Sequence, residues 1–176
     1  MNILKGWFDA IDAQEIDYRS EEGMALAQKL DAKLLPVYIL DENITKKPAF
    51  EQFKSAFSKN WNYYILSEGV AAPSFYAERE SIPDKLDLFV IENDPTSAKA
   101  EQNLKEFLDA TPEINYDKHF SGSQLAKELG IKNFPAFLVN NRVKFSGVQA
   151  AETIRNYFCR LNNASSCSKQ LSKSLV

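Results

Sequence analysis

The chain is poor in the residues on which metal and nucleophilic catalysis most often depend. It has one histidine, His119, and two cysteines, Cys159 and Cys167, among 176 residues. One imidazole cannot supply the two or three that most zinc enzymes use, and a histidine-based triad would depend on this single residue. Two thiols cannot build a four-thiolate site. The sequence therefore predicts no metal and no cofactor.

Glycine and long apolar runs are also scarce. The six glycines form no phosphate-binding loop and no Gly-x-Ser-x-Gly elbow. No apolar stretch approaches the roughly 20 residues of a membrane span. The net charge of -3 gives no basic surface for nucleic acid. We therefore expect no nucleic-acid partner and no membrane insertion, in a chain that is either cytoplasmic or exported with its signal removed.

What the sequence does contain is an internal repeat. Residues 26–40, LAQKLDAKLLPVYIL, align with residues 125–139, LAKELGIKNFPAFLV, at a constant shift of 99 positions (135 minus 36). Shorter matches upstream pair Glu15-Ile16 with Glu113-Ile114. The chain is therefore predicted to contain two copies of one unit.

The second copy is the more complete. Its apolar periods and its capping and turn residues predict the order β-α-β-α-β-β-α. Asp94 is predicted as an N-cap before Pro95, and Pro112 ends that helix. The predicted strands are 85–91, 113–120, 134–139 and 143–146, with Asn140-Asn141 as a hairpin turn, and the predicted helices follow Asp94 and cover 123–129 and 150–161.

The first copy has the same order without its opening strand. Helices are predicted at 2–11, 21–30 and 49–57, and strands at 15–19, 36–40 and 61–66. A missing strand leaves backbone groups of the remaining strands unpaired, which costs free energy when they are buried. We therefore expect 61–66 to join the first unit's sheet, another chain to supply a strand, or the natural chain to begin earlier. The predicted domains are a truncated unit at 1–66, a linker at 67–84, a complete unit at 85–162 and a polar tail at 163–176.

These elements, with the Phe134-Pro135-Ala136-Phe137 segment and the Asn140-Asn141 hairpin, resemble the thioredoxin-like superfamily. The resemblance implies an α/β fold of two tandem units, with mixed sheets flanked by helices. It implies a cis peptide bond at Pro135, beside the site of the catalytic dithiol, and makes Pro36 the counterpart in the first copy.

The chain differs from that family at the positions of the family's catalytic cysteines. The positions that match the two cysteines of the family's Cys-x-x-Cys motif hold Asp94 and Ser97, which cannot form a disulfide. The simplest interpretation of Asp94 is a helix cap; the functional one is a carboxylate that accepts hydrogen bonds from a partner. The sequence favours a protein that is not a redox enzyme.

We therefore hypothesise a redox-inactive module that binds a protein or an extended peptide in the groove beside the cis-proline. The candidate binding residues are Asp94, Thr96, Ser97, Phe134, Pro135 and Pro36. The alternative is a thiol-disulfide oxidoreductase that uses Cys159 and Cys167, although their separation also suits a structural disulfide or two unreactive thiols. A third possibility is a spacer or a dimerisation element, which allows a homo-oligomer. His119 is expected to face solvent from its strand.

Overall fold

A computed structural model describes residues 2–67, 70 and 73–175. The chain divides into unit 1, Met1–Ala77, and unit 2, Glu78–Val176. This boundary falls inside the segment 67–84 that was predicted as a linker, and the segment also contains a strand, Ser74–Tyr76.

The helices of unit 1 are short. They are α1 (Asn2–Trp7), α2 (Glu21–Lys29) and α3 (Phe50–Phe53), with 3-10 helices at Glu42–Lys46 and Lys54–Ala56. The hydroxyl of Ser20 caps α2 by accepting the Gly23 N–H at 3.0 Å. The helix predicted at 49–57 is wrong in its second half, because the chain tightens into a 3-10 turn and then enters a strand at Phe57.

The strands of unit 1 are β1 (Leu34–Leu35), β2 (Ile39–Asp41), β3 (Phe57–Asn60), β4 (Tyr63–Leu66) and β5 (Ser74–Tyr76). Strand β4 pairs antiparallel with both β2 and β3, and β1 pairs antiparallel with β5. Residues 63–66 of the segment 61–66 join this sheet, as expected, but they lie between β2 and β3 and leave the other edge of β2 without a partner strand among the described residues, so unpaired backbone groups remain. The strand predicted at 15–19 is wrong, since these residues adopt no regular secondary structure.

A small apolar core holds unit 1 together. It consists of side chains from α1, β2, the first 3-10 helix, α3 and β4: Leu4, Phe8, Leu40, Ile44, Phe50 and Leu66. The ring of Trp7 stacks on that of Phe53 with 4.4 Å between the ring centroids. Burial of these rings and aliphatic side chains supplies the main stabilisation that elements this short need.

Unit 2 has the predicted order β-α-β-α-β-β-α. Its elements are β6 (Lys85–Val90), α4 (Pro95–Ala110), β7 (Asn115–Phe120), α5 (Gln124–Glu128), β8 (Ala136–Val139), β9 (Val143–Ser146) and α6 (Ala151–Cys159). The strands lie in the order β9-β8-β6-β7, with β7 parallel and β8 antiparallel to β6. The fold is therefore mixed α/β, with a mixed sheet flanked by helices.

Strand β6 is central and is buried on both faces, as its near-continuous apolar run predicts. Leu86, Leu88 and Val90 join one core with the apolar faces of α4 and α6, while Asp87 and Phe89 project from the other face. Asn140 and Asn141 connect β8 to β9 with φ values of 52° and 61°, the left-handed conformation that a tight hairpin requires.

The polar C-terminal segment folds back onto unit 2. It forms a 3-10 helix at Ser165–Ser168, and Leu171 packs against the unit 2 core. The N–H of Ser172 donates to the Glu106 carboxylate at 2.7 Å, and the carbonyl of Ser172 accepts the Glu152 N–H at 3.0 Å. The segment predicted as a polar tail is therefore anchored to both α4 and α6.

Candidate functional site

The first turn of α4 contains three of the residues singled out from the sequence. The Asp94 carboxylate accepts the N–H of Ser97 at 2.7 Å, so Asp94 is the N-cap that the sequence predicts. Asp94 is half-buried and Thr96 is exposed, whereas Ser97 is buried. The carboxylate therefore holds the first turn of α4 and still borders solvent.

The hydroxyl of Ser97 has a second role in the sheet. It accepts the backbone N–H of Ile91 at 3.1 Å. In the antiparallel β6–β8 ladder, the N–H of Asn140 donates to the Lys85 carbonyl at 2.8 Å. Hydrogen-bonded residue pairs occur at every second position of such a ladder, so the next pairs are 87 with 138 and 89 with 136. A continued ladder would join residue 91 to residue 134. Ile91 is not available for this pairing, because its N–H donates to the Ser97 hydroxyl and its carbonyl accepts the Asp94 N–H at 3.4 Å.

Phe134 and Pro135 lie where this ladder ends. The Phe134–Pro135 peptide bond is cis, and the Pro135 carbonyl accepts the Gly147 N–H at 2.8 Å. Within the described residues, no hydrogen bond reaches the backbone N–H or the carbonyl of Phe134. Because Ala136 pairs with Phe89, the register puts Phe134 and Pro135 at the same end of the sheet as the first turn of α4. Five of the predicted site residues, Asp94, Thr96, Ser97, Phe134 and Pro135, therefore lie at one end of the sheet.

Apolar side chains surround this end of the sheet. Ile91 follows β6 and is 44% exposed, and Phe120 closes β7 and is 47% exposed. The Ser121 N–H donates to the Val90 carbonyl at 2.8 Å, which keeps the ends of the two strands side by side. The end of the sheet thus offers a free backbone segment next to exposed apolar side chains.

Pro36 belongs to unit 1 and is not part of this arrangement. The Leu35–Pro36 bond is also cis, so the two prolines aligned by the repeat share a backbone conformation. Pro36 precedes β2 and lines a cavity of unit 1 instead. The sequence groups Pro36 with Pro135 because the two prolines align in the repeat. Aligned residues occupy equivalent positions in the two units and need not belong to one site.

Cys159 and Cys167 form a disulfide that joins the end of α6 to the 3-10 helix of the C-terminal segment. Ser165, in the same 3-10 helix, lies against Ala110 at the last turn of α4 and donates its N–H to the Glu113 carboxylate at 2.6 Å. Asp94 lies at the opposite end of this 16-residue helix, about 24 Å away at 1.5 Å per residue. The disulfide is therefore remote from the end of the sheet that holds Phe134.

Sequence reasoning missed a charged cluster on the sheet. The Asp87 side chain is buried in β6, and its Oδ1 lies 2.8 Å from His119 Nε2 and 3.6 Å from Lys85 Nζ. The imidazole also stacks on Phe89, with 4.9 Å between ring centroids. The expectation that His119 faces solvent is wrong, because the parallel register places it beside Asp87 and Phe89. An aspartate within an otherwise apolar buried strand was the available signal.

Lys85 balances the charge of this cluster. Its ammonium donates to the Asp117 carboxylate at 2.8 Å, a bond that lowers the pKa of Asp117 and raises that of Lys85. Asp87, Asp117 and His119 have ligand atoms within 4.8 Å of one another. We assign them no metal, because the lysine already supplies a cation to both carboxylates. Oδ2 of Asp87 is buried without a hydrogen-bond partner among the described residues.

Comparisons of the chain with models of known protein families, with curated protein sequences and with solved structures found no match. In the part of the chain that the structure describes, no helix combines the length and the apolar character needed to cross a membrane.

Proposed function

We propose that unit 2 is a redox-inactive, thioredoxin-like module that binds an extended peptide beside Pro135. The observation that carries the proposal is the free backbone of Phe134. An edge with an unpaired N–H and carbonyl can take up another strand, in which main-chain hydrogen bonds give affinity and neighbouring side chains give specificity. Ile91 and Phe120 supply apolar contacts there.

The first turn of α4 supports the same proposal. Asp94 and Ser97 occupy the positions of the redox cysteines in the proposed family and support no thiol chemistry. Ser97 keeps the edge open by holding the Ile91 N–H. The half-buried Asp94 carboxylate borders the proposed groove and can accept hydrogen bonds from a bound chain.

The alternative, an oxidoreductase, has one observation in its favour, the Cys159–Cys167 disulfide. This bond anchors the C-terminal segment to α6, so we interpret it as structural. Insulin reduction by the wild type and by the Cys159→Ser/Cys167→Ser variant separates the two functions. Turnover that depends on these cysteines would replace the binding function with the enzymatic one.

A peptide library of extended sequences, screened against the full chain, tests the binding proposal directly. For each binder, amide hydrogen exchange should slow at Phe134, since its N–H gains a partner. Thr96→Trp places a bulky ring at the exposed first turn of α4 and should weaken binding by about tenfold. Lys105→Trp, at an exposed position in the middle of the same helix, is the matched control and should bind normally. Binders that leave the Phe134 amide unprotected would refute the proposal.

A further inference from the structure

We propose that unit 1 binds a second polypeptide at another place, the free edge of β2. The inferred occupant is an extended apolar segment of a partner protein, flanked by lysine or arginine, which adds a strand to the sheet. This site is independent of the groove proposed in unit 2.

The direction of the backbone groups in β2 identifies the free edge. The Tyr38 carbonyl accepts the Leu66 N–H at 3.0 Å, and the register continues with Leu40 opposite Tyr64. In an antiparallel pair, alternate residues turn their backbone groups toward the partner strand. Those of Val37 and Ile39 therefore face away from β4, and no hydrogen bond reaches them among the described residues.

The segment 12–16 lines a cavity of unit 1 together with β2. It forms no regular secondary structure, and within the described chain its backbone groups make no hydrogen bond. Its side chains are exposed, including the apolar Ile16 at 36% exposure. The segment 12–16 and β2 are thus two backbone stretches with unused hydrogen-bonding groups.

The cavity that β2 and the segment 12–16 line has a volume of about 1040 Å³. Its lining is largely apolar and includes Ile11, Ile16, Leu26, Leu30, Tyr38 and Ile39. The volume is at the upper end of the range for small-molecule sites, so the cavity has room for several side chains of a strand. Such a strand would satisfy the free backbone groups of β2 and cover the apolar lining.

Unit 2 indicates what kind of strand fits. The repeat aligns Tyr38 with Phe137 and Ile39 with Leu138. In unit 2 the backbone of Leu138 faces β6, which is buried and almost entirely apolar. By this alignment, the free edge of β2 is the edge that β6 occupies in unit 2. We therefore infer an occupant that resembles β6 in chemistry.

The charged residues around the cavity indicate which kind of residue should flank the apolar segment of the partner. The cavity lining holds three carboxylates, Asp12, Glu22 and Asp41, against two lysines, Lys29 and Lys47. The chain from Asp9 to Glu22 adds to this negative balance, with six carboxylates and one cation, Arg19. The six acidic residues are all exposed: Asp9, Asp12, Glu15, Asp17, Glu21 and Glu22. Complementary charge speeds association and selects partners, so basic residues should flank the apolar segment.

The test uses the full chain and the synthetic peptide KKLTLFVIKK, which places the apolar residues of β6 between lysines. We expect saturable binding, together with slower amide exchange at Ile39 and in the segment 12–16. A peptide with alternate backbone amides N-methylated should not bind, because it cannot form the ladder. Replacing the lysines by glutamates should weaken binding by about tenfold at low salt.

Two isoleucine variants locate the bound peptide. Ile16→Lys places a cation in the proposed cavity and should weaken binding by about tenfold. Ile82→Lys changes an isoleucine of similar exposure, 41%, in unit 2 and should have no effect. Circular dichroism of both variants checks that they fold.

Three results would overturn the inference. The peptide could fail to protect Ile39 and the segment 12–16, or it could protect only Phe134, which would assign it to the unit 2 groove. Alternatively, the free protein could form a dimer in which Ile39 is already protected as concentration rises, which would make a second copy the occupant. If no peptide of the library protects Phe134, the binding function proposed for unit 2 fails, whereas the inference about β2 in unit 1 is unaffected.

Discussion

The hydroxyl of Ser97 accepts the backbone N–H of Ile91 at 3.1 Å and thereby ends the β6–β8 ladder before Phe134. Together with the Asp94 N–H, which donates to the Ile91 carbonyl at 3.4 Å, this hydroxyl occupies both backbone groups of the residue that would pair next. The consequence is local, since the next pair of the ladder, Phe89 with Ala136, is intact.

Removal of this oxygen should destabilise unit 2. In Ser97→Ala the Ile91 N–H loses its acceptor, and we expect the free energy of unfolding to fall by about 1–2 kcal/mol. Chemical denaturation measures the change, and amide exchange at Ile91 should accelerate. Thr96→Ala, at the exposed neighbouring position, should change stability by less than about 0.5 kcal/mol. Equal effects of the two substitutions would contradict the role assigned to Ser97.

Cysteines at positions 94 and 97 should form a disulfide. The Asp94 carboxylate reaches the Ser97 N–H at 2.7 Å, so side chains at these positions begin close together. In the Asp94→Cys/Ser97→Cys variant we expect a bond after oxidation with glutathione, detected by thiol trapping and mass spectrometry. Asp94→Cys/Lys99→Cys separates the two thiols by more than one helical turn and should leave both free. Unpaired thiols at 94 and 97 would refute the proposed relation to redox proteins.

Local signals explain how much of unit 2 could be predicted. Asp94 and Ser123 cap their helices, and Asn140 with Asn141 forms the hairpin, so each boundary depends on residues next to it in sequence. The Ser97–Ile91 bond was missed because a serine at this helical position is compatible with a purely local role. The His119–Asp87 contact joins residues 32 positions apart, and only the register of β6 and β7 brings them together.

Unit 1 was predicted less well for a physical reason. The segment 15–19 begins with the same pattern as its counterpart in unit 2, but among the described residues of unit 1 no strand pairs with it. A strand is stable only when its backbone groups find partners, so the same pattern remains irregular here. The segment that was wrongly predicted as a strand includes Ile16, which lines the cavity beside β2.

Lys85 should contribute more to stability than Lys118 of the neighbouring strand β7. Lys85→Met leaves Asp87 buried with a single partner, His119, and we expect a loss of about 3 kcal/mol. Lys118→Met removes an ion pair with Glu101 whose side chains are more than one third exposed, and should cost less than about 1 kcal/mol. Urea denaturation at neutral pH compares the two variants. A similar loss in both would show that Asp87 does not depend on Lys85.

The contribution of Lys85 should depend on pH in a defined direction. The hydrogen bond from Lys85 lowers the pKa of Asp117, so its stabilisation is present above the unfolded value of about 3.9 and is lost as pH falls through the folded pKa. The pKa of Lys85 is raised, so the alkaline loss begins above about pH 10.4. The difference between wild type and Lys85→Met should therefore shrink in acid. In an NMR titration, the Asp117 pKa should be higher in the variant.

The Cys159–Cys167 disulfide should stabilise unit 2 through the C-terminal segment. It closes a loop with a sequence separation of 8, and the entropy that such a bond removes from the unfolded chain corresponds to about 2–3 kcal/mol. Cys159→Ser/Cys167→Ser should lose this amount in chemical denaturation, and reduction of the wild type should have the same effect. Amide exchange should then accelerate at Ser172, whose N–H is held by Glu106 at the surface of α4. Stability and Ser172 protection that both survive reduction would show that the segment is held by its hydrogen bonds and by Leu171, without help from the disulfide.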